Sequence, residues 1–375
     1  MGLLTTLKQN DVFRDEKSLA FDGSNDYIAI PSTTYDIDGG TVSFTFWAKR
    51  DDISVQNLIM GNNSNYSFIN LHSNANMYIE SDTNNDLASA PITNDTNWHH
   101  YVITCNSGTV AMYEDGISLT MGDSSISDDI TISKISFSSA KVFNGNISEI
   151  AIYNCTLTAN QVKTIYNGRE PYNHKEGVAS GNLQAWYRMG DGSLDESGFK
   201  NGVIGNEKNN TLGTNLVANG TMEADSNWAD YNSVNANVRS TTQVYEGTYS
   251  RKFTVDGSSQ GIQSDNFTTE TNKTYYVTFQ IYPDDATTAR IAIRKGDNSD
   301  WANDSAFSGL TQDAWNKVSL AYTDTAGGSG AYLVIHGHGN TSGDFYIDNA
   351  KIQKMGDGAG CLKNMGATNI EGDTP

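Results

Sequence analysis

Residues 18–50 read SLAFDGSNDYIAIPSTTYDIDGGTVSFTFWAKR. Within them Val42, Phe44 and Phe46 alternate with Thr41, Ser43 and Thr45. A period of two puts one set on one face of an extended strand, so the stretch predicts a β-strand with an apolar side. Downstream, Trp98-His99-His100-Tyr101 runs into Val102-Ile103, a nearly unbroken apolar segment as expected of a strand covered on both faces. Val110 to Tyr113, the turn Glu114-Asp115-Gly116 and then Ile117 predict a hairpin, with glycine supplying a positive φ. Phe143-Asn144-Gly145-Asn146-Ile147 closes this series of strands.

One helix is legible. Thr158 stands three residues before Gln161, the spacing of a capping box. Val162, Ile165 and Tyr166 then share a face, and Gly168 follows as a stop. Residues 171–213 read as a mixed connector, in which Leu183 to Met189 (LQAWYRM) is too apolar to float free. A second strand series begins near residue 214. Tyr275, Val277, Phe279 and Ile281 alternate strictly with Tyr276, Thr278, Gln280 and Tyr282. Ile291 and Ile293, Val318, Leu320 and Tyr322, Leu333 and Ile335, and Phe345 and Ile347 keep the same period. The fold class that follows is all-β: two antiparallel sandwiches, 18–170 and 214–354, with an arm at 1–17, a connector at 171–213 and an irregular tail at 355–375.

Composition agrees. The chain has 375 residues, enough for two domains, with 35 glycines against 5 prolines, as many short strands joined by tight turns require. Its 44 carboxylates against 24 Lys and Arg leave a net charge of -20, a field that repels phosphate backbones and excludes nucleic acid as the expected partner. Cys105, Cys155 and Cys361 are an odd number without motif spacing, so neither a disulfide framework nor a zinc site is expected. Leu3, Leu4 and Leu7 form too short an apolar run for a signal peptide or a membrane span.

Several ordered segments carry a resemblance. Phe21 to Tyr27 (FDGSNDY), Phe44 to Trp47, Trp98 to Tyr101, Asn144 to Glu149 and Ile152 to Asn154 resemble the laminin-G-like, concanavalin-like jelly rolls. Asn215 to Glu223, Tyr245 to Ser250 and Phe345 to Ala350 resemble the galactose-binding-type sandwich of carbohydrate-binding modules. The pairing, with AWYRMGDGSLDESG at 185–198 and GATNIEGDTP at 366–375, is similar to virion proteins of marine tailed phages.

The second resemblance implies a structural calcium held by Glu223, Asp348 and backbone oxygen near Thr221 and Gly247. Hard oxygen donors from distant strands suit calcium, while the alternative is that both carboxylates accept turn hydrogen bonds or face water. Asp22 and Glu149 are a weaker pair of the same kind, with Asp22 equally able to form an Asx turn. His336 and His338 are spaced for one side of an extended segment but lack a third ligand, so a strand end is the preferred reading. Sugar binding needs exposed aromatic faces; Trp228, Tyr231, Tyr282 and Trp301 are the candidates, with Trp47 and Trp315 assigned to the core. Gly356 to Gly360 leads into no helix, so it is rejected as a dinucleotide loop.

The sequence therefore predicts a non-enzymatic structural protein of a phage virion, a decoration, fibre or spike component. It would be made in the host cytoplasm and assembled with other virion proteins as a homo-oligomer. The alternative is a carbohydrate-binding adhesin or receptor-binding fibre protein recognising host-surface glycans. Neither reading includes membrane insertion.

Overall fold

The computed structural model describes residues 15–62, 67–81, 86–136, 142–169, 172–192, 203–257, 259–285, 288–294, 301–338, 342–363, 365 and 369–375. The side chains of residues 203, 301–308 and 363 fall outside that description, as does most of the expected N-terminal arm. Two compact units divide the chain: Met1–Asn25, Ser32–Gly192 and Ile370–Pro375 in one, Asp26–Pro31 and Ser193–Asn369 in the other. Both are built from antiparallel strands, and the all-β expectation holds.

In the first unit one sheet runs in the order Ile117–Ser118, Thr109–Glu114, Trp98–Asn106, Thr41–Arg50, Asn144–Tyr153, Ser18–Asp22 and Ile370–Glu371. Leu183–Tyr187 pairs with Asn144–Tyr153 as well. Facing it, Ile130–Ile135, Asn57–Gly61, Phe68–His72, Asn76–Glu80 and Leu87–Pro91 form the second sheet. Val42, Phe44 and Phe46 are buried as the alternation predicts, but so are Ser43, Thr45 and Trp47 between them. The cause is a third layer on the outer face: the helix Ala159–Tyr166 and the residues leading into it pack Leu157, Val162 and Ile165 against the sheet's own Val102, Ala151, Tyr153, Leu183 and Trp186. The buried hydroxyls there are satisfied, Ser43 Oγ donating to Cys155 O at 2.7 Å and Thr45 Oγ1 lying 2.8 Å from His100 Nε2.

The helix carries the predicted capping box, with Gln161 N bonded to Thr158 Oγ1 and Thr158 N to Gln161 Oε1. It ends one residue earlier than expected, because Asn167 takes the left-handed conformation at φ 50°. The hairpin turn falls on Asp115 and Gly116, both with positive φ, the geometry that matches strand twist. All three cysteines are free, and burial pushes the Cys105 thiol up to about 12.

In the second unit one sheet has the order Ala236–Ser240, Ser250–Val255, Gly343–Met355, Lys273–Pro283 and Asn316–Asp324, with Leu212–Asn215 beside Gly343–Met355. The other has Trp228–Tyr231, Gly261–Ser264, Gly328–Gly337, Thr288–Arg294 and Trp301–Ser308, with Phe267–Thr269 beside Gly328–Gly337. Tyr275, Val277, Phe279 and Ile281 are each 1% exposed or less and form the core with Phe253, Ile291, Leu333, Phe345 and Ile347. Burying one such side chain is worth about 1.5–3 kcal/mol, so this period fixes which face of the strand points inward.

Two expected irregular stretches are ordered. Gly360–Lys363 pairs with Val203–Ile204 on one side and with Tyr27, Ile28 and Ala29 on the other. Cys361 and Leu362 are fully buried in it, apolar residues that the surrounding glycines mask in the sequence. Ile370–Glu371 joins the first unit's sheet beside Ser18–Asp22, and Asp373 accepts from Lys49 Nζ at 2.6 Å and Trp98 Nε1 at 2.9 Å.

Candidate functional site

The outer face of the Lys273–Pro283 sheet is decided by parity. Since Tyr275 through Ile281 point inward at odd positions, Tyr276, Thr278, Gln280 and Tyr282 point outward, and all four are half-buried. Phe345 and Ile347 likewise turn Tyr346 to this face, where its neighbours leave it only 3% exposed, and Phe253 turns out Lys252 and Thr254. Register then aligns Val238, Lys252, Tyr346 and Tyr282 in one row across four strands. Near Tyr276 this face is covered by Ala29, Ala359 and Cys361. At the other end it is open.

Two more rings complete the open end. Trp315, just before Asn316–Asp324, meets Tyr282 edge-on at 5.6 Å and Tyr245 at 5.7 Å. Tyr282 meets Tyr346 at 6.0 Å, also edge-on. Tyr245 is 48% exposed, a large side chain left in solvent. Polar groups border the rings: Lys252 Nζ lies 2.5 Å from Asp344 Oδ2 and 5.7 Å from the Tyr346 ring centre, while Thr254 Oγ1 donates to Asp344 Oδ1 at 2.5 Å. The bond to Asp344 raises the Lys252 ammonium above its usual range. Burial, and then Asp285, Asp313 and Asp344, raise the Asp284 carboxyl. The rim is thus acidic.

Tyr245 is held by the two carboxylates read as calcium ligands. Asp348 Oδ2 accepts the N–H groups of Tyr245 and Glu246, each at 3.1 Å, and Oδ1 accepts Asn349 N at 2.7 Å. Glu223 Oε1 accepts Thr248 N at 2.8 Å and Tyr249 N at 3.1 Å. Between these pairs Gly247 has φ 78°, and a Cβ there would fall 2.3 Å from Glu223 Oε1, so the carboxylate occupies space only glycine leaves free. Those N–H bonds lower the Glu223 carboxyl; burial raises that of fully buried Asp348, with Glu223 adding repulsion. The residues fit a hard cation in one respect, since Glu223 Oε2 has no partner among the described residues. Thr221 is exposed, with no bond to either carboxylate.

The other expected pair is not a site. Asp22 Oδ1 accepts Ser24 N at 2.8 Å and Asn25 N at 3.3 Å, an Asx turn. Asp22 pairs with Asn144, five residues or roughly 16 Å of strand from Glu149. Glu149 is buried against Trp186 Nε1 at 2.5 Å and Arg188 Nε at 3.0 Å, a structural ion pair. Its carboxyl is raised by burial against the pull of Arg188, and Asp15 beside it is raised by burial and by Glu149 itself.

Three aromatic assignments change. Trp228 is 5% exposed, in the core, its Nε1 donating to Asn219 O. Tyr231 is 7% exposed, packed on His336 and under Arg294. Three residues apart on an edge strand, they face opposite ways: Trp228 into the core, and Tyr231 onto the sheet's other face, where Ala292, Tyr332 and Val334 bury it. Trp315, assigned to the core, stands in the open cluster, because it precedes its strand and escapes the parity. Tyr282 stays a surface ring, and the Trp301 side chain lies outside the described residues. His336 is buried at the end of the strand Gly328–Gly337, with Nδ1 donating to Gly337 O at 2.6 Å. Sequence reasoning also missed Asp36, Asp38 and Asp129, which approach within 4.8 Å of one another; Asp36 and Asp129 accept the N–H groups of Gly39 and Ile37.

Among the described residues no helix is long and apolar enough to cross a membrane. No curated protein matches the chain. Among solved structures, the xylan-binding domain of Xyn10C from Paenibacillus barcinonensis is 15% identical, over 39% of this chain and 96% of that one, with a TM-score of 0.31. The C-terminal family 22 carbohydrate binding module of Clostridium thermocellum Xyn10B is 16% identical over 37% and 94%, with a TM-score of 0.29. Tailspike protein 4 of bacteriophage CBA120 is 15% identical over 38% and 21%, with a TM-score of 0.31. Residues 22–163 match the family model of the Concanavalin A-like lectin/glucanases superfamily, so the first sandwich is similar to that superfamily over most of its length.

Proposed function

We propose that this chain is a carbohydrate-binding protein that works without catalysis and takes a glycan on the open end of the Lys273–Pro283 sheet. Of the two readings of the sequence, this puts the adhesin ahead of the purely structural virion component. The observation that carries it is the interlocked cluster of Tyr245, Trp315 and Tyr282, packed against buried Tyr346, on a surface where strand parity calls for polar groups. Ring faces stack on the C–H faces of a sugar, and the bordering Lys252, Asp344 and Gln280 bond its hydroxyls. The aspartate rim repels uronates and sulfated sugars, so the ligand is a neutral glycan.

A calcium ion on Glu223 and Asp348 would fix the loop that presents Tyr245, relieving the repulsion between the two carboxylates. Placement on a phage particle, in a homo-oligomer beside other virion proteins, rests on the sequence resemblance. Mass spectrometry of purified particles tests that placement.

A glycan array with the whole chain tests the binding reading. Tyr282→Ala and Trp315→Ala should each weaken retention of neutral glycans at least about tenfold while leaving the melting temperature nearly unchanged. A silent array, or binding that survives both substitutions, would falsify the reading.

A further inference from the structure

The third layer over the Thr41–Arg50 sheet is pinned at two roots. Ser43 Oγ donates to Cys155 O at 2.7 Å and accepts Leu157 N at 3.0 Å, and Asn154 N donates to Asn182 O at 2.9 Å. Between these roots lie the helix Ala159–Tyr166 and the turns at 172–179, which meet the sheet through Val162, Ile165, Tyr172 and Val178.

Two histidines are shut in where layer and sheet meet. His100, on the strand Trp98–Asn106, is 1% exposed, with its ring 5.0 Å from Trp47 and stacked on Tyr166 of the helix at 6.0 Å. His174, in the layer itself, is 2% exposed and meets Tyr172 edge-on at 5.1 Å and Trp186 at 5.3 Å. Among the described residues each ring has one hydroxyl as its polar partner, Thr45 Oγ1 at His100 Nε2 and Tyr153 Oη at His174 Nδ1. His100 Nδ1 is buried with no partner there.

An imidazolium has two N–H groups to place and a charge to solvate, and this packing offers it a single hydroxyl. The charged groups that face the rings do not replace water. Asp115, at His100, already accepts the His100 N–H at 2.9 Å and bonds His99 Nδ1 at 2.9 Å, and Arg188, at His174, is itself positive. The other titratable neighbours are the hydroxyls of Tyr166, Tyr153 and Tyr172. Burial pushes both imidazoles down to about 3, against the pull of Asp115 at His100 and with added repulsion from His100 and Arg188 at His174.

We propose that His100 and His174 make this layer an acid-operated flap: protonation of the two rings frees the helix Ala159–Tyr166 and residues 172–179 from the sheet, while the roots and the paired strands beneath stay in place. Folding holds the rings neutral, so the closed layer has its full stability above the ordinary histidine value of 6.5 and loses it as pH falls from there toward about 3. Opening bares Trp47 and Val102 and turns a covered face into an open one. It does so whether or not the second unit takes a glycan.

Hydrogen exchange of the whole chain, corrected for intrinsic rates, tests this between about pH 7.5 and about pH 4.5. Protection of the helix and of residues 172–179 should fall at least about tenfold over that range, each unit of pKa shift being worth a factor of ten. Thr41–Arg50 and Asn144–Tyr153 should keep theirs. His100→Gln with His174→Asn puts an uncharged amide where each ring nitrogen meets its hydroxyl and should remove most of the fall, whereas His99→Asn should leave it. The imidazole proton signals of the wild-type chain need no variant: both rings should titrate below 6.5, in step with the loss of protection. The proposal is overturned by protection that persists to the acid end, falls equally in the double variant, stays put only in His99→Asn, or is lost from layer and strands at once. Rings that titrate near 6.5 under a closed layer overturn it as well.

Discussion

In the first unit the sheet built on Thr41–Arg50 is covered on both faces, and even its serine and threonine side chains are buried. In the second, the sheet built on Lys273–Pro283 is covered at one end by the strand Gly360–Lys363 and left open at the other, where Tyr245, Tyr282 and Trp315 gather over buried Tyr346. The same architecture thus has two uses. A third layer turns a sheet face into core, and its absence leaves a face whose composition must be explained by something outside the chain. Among the described residues the first unit has a cleft at its rim, and the second offers a face.

If that contrast is real, a large side chain should cost stability in the covered layer and binding on the open face. Trp186, 2% exposed and bonded to Glu149, is the test of the covered layer. Trp186→Ala should destabilise the first unit by about 3–5 kcal/mol in denaturant titration, leaving the second unit's transition unmoved. A loss under about 1 kcal/mol would mean the third layer is not core.

Chelation sharpens the second unit. An ion held at a hundred times its Kd adds about 2.7 kcal/mol to the unit that binds it. Calorimetry with and without chelator should then lower only the second transition, and an unchanged midpoint removes Glu223 and Asp348 as ligands. Asp348→Ala leaves the N–H groups of Tyr245 and Glu246 unmatched and should cost about 1–3 kcal/mol. It should also weaken glycan retention by releasing Tyr245. Retention at the normal level would show that the loop plays no part in the face.

The smallest effect is electrostatic and belongs to the first unit. His99 lies 2.9 Å from Asp115 Oδ2 and 3.1 Å from Asp95 Oδ1, one carboxylate at each ring nitrogen, and the Asp115 bond raises its pKa above the usual value of 6.5. A raised folded-state pKa means that the charged ring stabilises the fold in full below about 6.5. That contribution is lost as pH rises through the higher folded value. Melting of wild type and His99→Asn across that window should converge toward alkaline pH, with a difference on the order of 1 kcal/mol or less at acid pH. Parallel curves would sink the assignment.

Where a strand is long, its alternation fixed both the inside and the outside. Tyr275 to Tyr282 told inward from outward positions without any structure, and Tyr282, one of the candidate rings, is half-buried on the outward side. Where a strand is short, it did not. Trp228 and Tyr231 bracket four residues, too few to carry a period, and their burial follows from Asn219 and His336, which meet them only in the fold. The tail was misread because Cys361 and Leu362 sit among glycines.

The order of apolar and polar residues determined by itself that this chain makes antiparallel sandwiches, because a period of two permits one buried face and hydrogen bonding does the rest. It also determined the Thr158 cap, a contact made within three residues. Which faces would be covered again, which rings would meet and which carboxylates would share a loop were decided only in three dimensions. Those contacts join residues as far apart as Tyr245 and Trp315 or Glu223 and Asp348. Their proximity is set by strand register and by backbone N–H groups seeking acceptors, and neither leaves a mark in local sequence.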